Sequence, residues 1–192
     1  RLEAKKNTLR LTLQLLPALM AADADVAVRH CLGNFPLVQP WNVQEATRPL
    51  ANGAAVFVDY LTRLMHAGGP PRRSRVLVTL WLAHLLSVAP AGGRAAMYTA
   101  EGRPADGTLA AEWPHGAVLL GVLEAPATYN FDEASVLSMC RETGFHAGVR
   151  LLLRRRHGRS AAASLADGTF CELVALLLAT GAGDSFEELM GA

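Results

Sequence analysis

The chain has 192 residues, of which 51% are apolar, 18% charged and 6% aromatic, with a formal net charge of +1. That length buries roughly 70% of the surface an unfolded chain exposes, as one domain or one stretch of a larger solenoid. The near-zero charge excludes the overall electrostatic signature of a nucleic-acid binder. Cys31, Cys140 and Cys171 are widely spaced, without CxxC or Cys/His ligand spacing, which suits reduced cysteines packed as small hydrophobes in the cytosol.

The chain starts at Arg1 rather than methionine and reads as a segment of a longer polypeptide. Its beginning carries Lys5, Lys6, Asn7 and Arg10, which interrupt any secretory-signal pattern. The most apolar run, residues 76–89, is shorter than the roughly 20 residues of a membrane-spanning helix.

Leucine and alanine dominate the apolar set and favour helix over strand. Leu9, Leu13, Leu16 and Met20 share one face of a first helix over residues 2–20, which Pro17 is expected to kink or divide. Asp23 or Asp25 caps a shorter helix carrying Val26, Val28, Cys31 and Leu32, and Gly33-Asn34 ends it. Pro36 and Pro40 mark a connector, after which Asn42 is the expected N-cap of a short helix through Ala46.

A stronger helix follows over residues 54–67. Val56, Phe57, Tyr60, Leu61 and Leu64 form its apolar face, with Asp59 and Arg63 paired at i,i+4. Gly68, Gly69, Pro70 and Pro71 end it. Ser74 caps a partner helix to Val88 that is apolar nearly all round, as a helix sandwiched between neighbours is. Residues 89–112, rich in Ala, Gly and Pro, read as a long inter-helix loop. Pro114 suits the first turn of the next helix, which ends near Glu124.

Two helical hairpins then follow. Residues 132–143 form a helix closed by Gly144, and residues 145–156 form its partner, closed by Gly158. Residues 169–179 form another helix, closed by Gly181. Asp184 caps a last one through Met190, with Glu187 at the capping-box position. No long stretch alternates apolar with polar, so the expected fold class is all-α. Residues 1–51 supply leading helices, and 52–192 a run of helical repeats.

Successive antiparallel hairpins, each too small to bury its own apolar face, mark an α-solenoid. The most specific stretch is residues 136–153. Leu137 and Cys140 face inward, Gly144 permits the left-handed turn, Phe145 plugs the corner, and Gly148 lets the second helix approach the first.

These residues resemble the clathrin heavy-chain repeat of vacuolar protein-sorting subunits. The likeness is to the C-terminal solenoid of a class C core subunit shared by the HOPS and CORVET tethering complexes. In that family a Leu-x-Leu-Cys phrase, a Phe-x-x-Gly corner and a leucine/tyrosine-rich helix follow one another. The helix pair at residues 51–64 and 75–86, the helix near 115–123 and the stretch 167–190 keep a similar order, so the resemblance spans residues 52–190. Leu151, Leu152 and Leu153 stand without the family's tyrosines, and Arg154, Arg155 and Arg156 stand where an acidic residue is common.

The resemblance implies a non-enzymatic scaffold without catalytic residues, cofactor or metal in this stretch. Its partners would be other subunits of a multiprotein tethering complex, with Rab and SNARE proteins reached through neighbouring subunits and no nucleic acid. It would work in vesicle fusion and protein sorting, in the cytoplasm and peripherally on endosome, lysosome or vacuole membranes. The alternative is an α-solenoid scaffold of a vesicle coat or nuclear-pore complex.

Other features have competing readings. Arg150, Arg154, Arg155, Arg156, His157 and Arg159 form a dense basic cluster, either a contact for anionic lipid, an acidic helix or nucleic acid, or a solvated helix end favoured by the helix dipole. Leu177, Phe186 and Leu189 are candidate contacts to a following repeat. His66, His84, His115 and His146 lack neighbours at metal spacing and read as structural. Trp41, Trp81 and Trp113 read as core or seam residues. Gly181 to Ser185 is glycine-rich, but no strand precedes it, so a helix-to-helix turn is expected rather than a phosphate loop.

Overall fold

The computed structural model describes residues 2–88 and 115–159, together with residues 168, 171, 172 and 174–176. It is all-α, and no strand occurs among the described residues. The chain divides into two compact units, Arg1–Pro71 and Arg72–Ala192. No helix among the described residues is long and apolar enough to cross a membrane.

The first unit contains α1 (Leu2–Ala22), α2 (Ala24–Gly33), α3 (Pro40–Thr47) and α4 (Gly53–His66). Its core joins Leu16 and Met20 of α1, Val28 and Cys31 of α2, Val43 of α3, and Phe57, Tyr60, Leu61 and Met65 of α4. The Phe57 and Tyr60 rings stack with centroids 6.2 Å apart. Within this unit α1 packs on α2 and on α3, and α4 packs on α2 and on α3. Residue 51, where the leading helices were expected to end, lies in the turn between α3 and α4.

Several local expectations hold here. Asp23 is the N-cap of α2 and its Oδ1 accepts from the Val26 N–H at 3.0 Å. Arg63 pairs with Asp59 at 3.0 Å and reaches Asp25 of α2 at 2.7 Å. These side chains are substantially exposed, so solvent and salt screen both pairs and they add little to stability.

Two expectations are corrected. Of the two outcomes expected at Pro17, division does not occur: α1 runs unbroken from Leu2 to Ala22, with Leu16 and Met20 on either side of the proline both anchored in the core. The α3 helix starts at Pro40, ahead of Asn42. Gln39 is the N-cap, Pro40 takes the first-turn position that needs no N–H, and Asn42 Oδ1 accepts from the Gln39 N–H at 3.0 Å from inside the helix.

The Gly68-Gly69-Pro70-Pro71 stretch also does more than end a helix. Proline at a first helical position is preorganised, and the short helix α5 (Pro70–Arg73) begins there. The Arg72 guanidinium lies 5.4 Å from the centre of the Tyr129 ring. Asn130 donates its backbone N–H to Arg72 O at 3.0 Å and its side-chain N–H to Arg73 O at 3.1 Å.

The second unit contains α6 (Arg75–Ser87), α7 (His115–Glu124), α8 (Glu133–Glu142) and α9 (His146–Arg159). Ser74 caps α6 as expected, accepting from the Leu77 N–H at 3.4 Å. Trp81, Leu82 and Leu85 of α6, Leu119 and Leu123 of α7, Val136 and Cys140 of α8, and Leu152 and Leu153 of α9 are buried. The contacts run α6 to α7, α8 to α9, α6 to α8 and α7 to α9. The first unit has the same order: first helix on second, third on fourth, first on third, and second on fourth.

The α6 helix is less enclosed than its composition suggests, since Val76 is 75% exposed. The α9 helix runs through Gly158 to Arg159 instead of stopping there. Cys171, Glu172 and residues 174–176 are helical, within the helix expected over 169–179. The loop expected at 89–112, Trp113 and the helix expected after Asp184 lie outside the described residues.

Candidate functional site

The corner between α8 and α9 is where the most specific sequence features meet. The α8 helix ends at Glu142 with Thr143 as its C-cap, and Gly144 takes a left-handed conformation with φ +69°. Phe145 N–H donates to Cys140 O at 2.8 Å and Gly144 N–H to Arg141 O at 3.1 Å, the paired bonds that close a helix on a left-handed residue. A side chain at Gly144 would have room but would be held in an unfavourable backbone region.

Phe145 and Cys140 are fully buried, and Leu137 is nearly so. Gly148, one turn into α9, lies directly against the Phe145 ring and the Cys140 sulfur. Thus Cys140, Gly144, Phe145 and Gly148 form one closed structural joint, with Leu137 buried one turn earlier on α8. Burial pushes the Cys140 thiol up to about 12, and that of Cys31 in the first unit up to about 11. Neither is a poised nucleophile. At mildly alkaline pH only the exposed Cys171 is expected to alkylate quickly in the folded protein, with Cys31 and Cys140 following only on denaturation. Mass spectrometry of iodoacetamide adducts over time checks this.

The basic cluster is not one cationic surface. Arg150 is buried and Arg156 is exposed, while Arg154 and His157 are half-buried. Arg155 has a defined structural role: it reaches Glu133 at the start of α8 at 3.2 Å and donates to the Leu123 carbonyl near the end of α7. One guanidinium thereby joins three helices and satisfies a carbonyl at a helix end. Arg155→Ala is expected to lower stability by about 1.5–3 kcal/mol, with Arg155→Lys recovering little because one ammonium does not reproduce the fork. Urea unfolding monitored by circular dichroism measures it.

Sequence reasoning missed the outer side of α6. Arg75, Val76, Thr79, Leu80 and Ala83 line an open apolar groove of about 450 Å3 with Asp132. Arg75 pairs with Asp132 at 2.5 Å, and Asp132 N–H donates to Thr79 Oγ1 at 3.0 Å. The Ser135 hydroxyl and then Arg75 hold the Asp132 carboxyl below its usual value. Apolar residues on every side of α6 hid this groove, since periodicity alone does not say which side a neighbour covers.

Of the histidines, His84 is half-buried and burial lowers its pKa, His66 is exposed, and His115 and His146 are half-buried. No group of three His, Cys, Asp or Glu residues able to hold a metal ion occurs among the described residues. Trp81 is buried as expected, with Tyr129 tilted against it at 5.9 Å, but Trp41 is 58% exposed and belongs to no core. Leu177, Phe186 and Leu189 lie outside the described residues. No protein-family model, curated protein or solved structure matches the chain.

Proposed function

We propose that this chain is a non-enzymatic α-solenoid scaffold, a run of clathrin heavy-chain-type repeats within an endosomal, lysosomal or vacuolar membrane-tethering complex. The observation that carries the reading is the order of helix contacts. In an up-and-down four-helix bundle, each helix neighbours the next and the fourth returns to the first. Among the described helices of 2–66 and of 75–159, the third lies on the first and the fourth on the second, the order obtained when one helix pair stacks on another. The joint of Cys140, Gly144, Phe145 and Gly148 supports the same reading, because it makes a tight corner and leaves no reactive group at its centre.

A stack of this kind functions by geometry. It spreads binding surface along its length and holds partner subunits at fixed spacing. The partners would be other tethering subunits, with Rab and SNARE proteins reached through them, and the location peripheral on endosome, lysosome or vacuole membranes. Affinity purification of the native protein from its own cells tests the assignment. Co-purification of tethering-complex subunits in fixed proportion is the expected result, and recovery of coat or nuclear-pore components instead overturns it.

A further inference from the structure

The α1 helix is apolar on two sides. Leu16 and Met20 face the core of the first unit, where both are almost fully buried. At about 100° per residue, Leu11, Leu15, Ala18, Leu19 and Ala22 share a sector roughly 100° wide on the other side. All five are exposed, Leu11 by 58%, Leu15 by 57% and Leu19 by 42%. No Asp, Glu, Lys or Arg stands between Arg10 and Asp23. Those two residues close the ends of the stripe; both are exposed, and neither forms an ion pair among the described residues.

The stripe is complementary to itself. When two copies of α1 run antiparallel about a point midway between Leu16 and Pro17, Leu11 stands level with Ala22 of the second copy, and Leu15 with Ala18. Each bulky side chain then has a small one at its level, the alternation that lets two helices pack closely. The same register sets Arg10 level with Asp23 at each end, two opposite-charge pairs about 20 Å apart. A parallel pair in register would instead set arginine beside arginine, aspartate beside aspartate and leucine against leucine. Size and charge thus select the same direction and the same register.

We propose that the outer face of α1 docks a second copy of this chain, α1 against α1, antiparallel about a two-fold axis. A two-fold interface is one patch that meets itself, so each contact forms twice. Burial of the leucine stripe drives the association, and the charged ends fix its direction. A helix face about 18 Å long offers less than the roughly 800 Å2 per partner of a standard stable interface, so the dimer is reversible and micromolar. The inference stands apart from the tethering assignment, since it needs only the geometry of α1.

The test is sedimentation velocity of the full chain from low to high micromolar concentration, joined to cross-linking. A concentration-dependent shift from monomer to dimer is expected. Leu15→Glu, which places a carboxylate in the stripe of both copies, is expected to weaken dimerisation at least about tenfold. Leu15 is exposed, so circular dichroism of the variant should match the parent. Val76→Glu, at the exposed residue of the α6 groove, is the control and leaves the dimer unchanged. For the register, Cys171 is replaced by serine, Cys31 and Cys140 being buried, and Arg10→Cys chains are mixed with Ala22→Cys chains. A short bis-maleimide is expected to link the two variants to each other and neither to itself. The proposal is overturned if the chain stays monomeric at high micromolar concentration, which leaves the face to a different partner. It is equally overturned if Leu15→Glu dimerises like the parent, if Val76→Glu abolishes the dimer, or if each cysteine variant links to itself.

Discussion

Gly53→Ala is expected to destabilise the first unit by at least about 3 kcal/mol. A Cβ at Gly53 would lie 2.0 Å from the Thr47 carbonyl oxygen and 2.8 Å from its carbon. Those are backbone atoms at the end of α3, so rotation of a side chain offers no relief. The carbonyl is also committed, accepting from the Leu50 N–H at 2.9 Å, while Gly53 N–H donates to Leu50 O at 3.0 Å. Relief requires moving α3, whose Val43 and Ala46 are buried, away from the α4 helix on which it packs. Chemical denaturation should show a transition at much lower denaturant for signals from the first unit, including Trp41. An unchanged midpoint would mean that α3 and α4 do not approach this closely.

Gly148→Ala is expected to cost about 2–3 kcal/mol in the second unit. Its Cβ would lie 2.6 and 2.8 Å from Phe145 ring carbons and 3.0 Å from the Cys140 sulfur. Both partners are fully buried, and Phe145 is fixed by the backbone bond that closes α8. The ring has little freedom to move aside, so α9 must shift off α8. Gly144→Ala, which meets no atom but strains a left-handed residue, should cost only about 1 kcal/mol. Adding Phe145→Leu to Gly148→Ala should be less than additive, because the smaller side chain removes the clash it would otherwise share. Strict additivity in urea unfolding would contradict direct contact between these positions.

The helices whose apolar residues recur on one face were legible in the sequence, and so were ends set by local chemistry. The face of α4, the Asp23 and Ser74 caps and the Gly144 turn each depend on residues within a few positions of one another. What was not legible depends on distant parts of the chain. Pro17 and Pro70 look like breaks, yet buried neighbours carry α1 across the first, and the second starts a helix. Trp41 has a core residue's composition and a surface residue's position, because the turn that buries Val38 directs it outward.

The candidate site was legible only in part. The residues of the α8–α9 corner can be read from spacing, since all lie in adjoining turns. Arg155 belonged to a run of arginines that reads as solvated, and only the folded chain brings Glu133 and Leu123 to it. The stacking of α6 on α8 and of α7 on α9 leaves no local trace, because each helix of a four-helix group has a face to bury in either arrangement.

That stacking order is the central claim, and cross-linking reads it directly. With Cys171 replaced by serine, a short bis-maleimide is applied to the folded Arg75→Cys, Asp132→Cys variant. Efficient intramolecular linkage between the start of α6 and the start of α8 is the expected result, with little linkage in an Arg75→Cys, Arg156→Cys variant. Linkage of the second pair and not the first would place α9 beside α6, as in an up-and-down bundle, and would contradict the stacked-pair account.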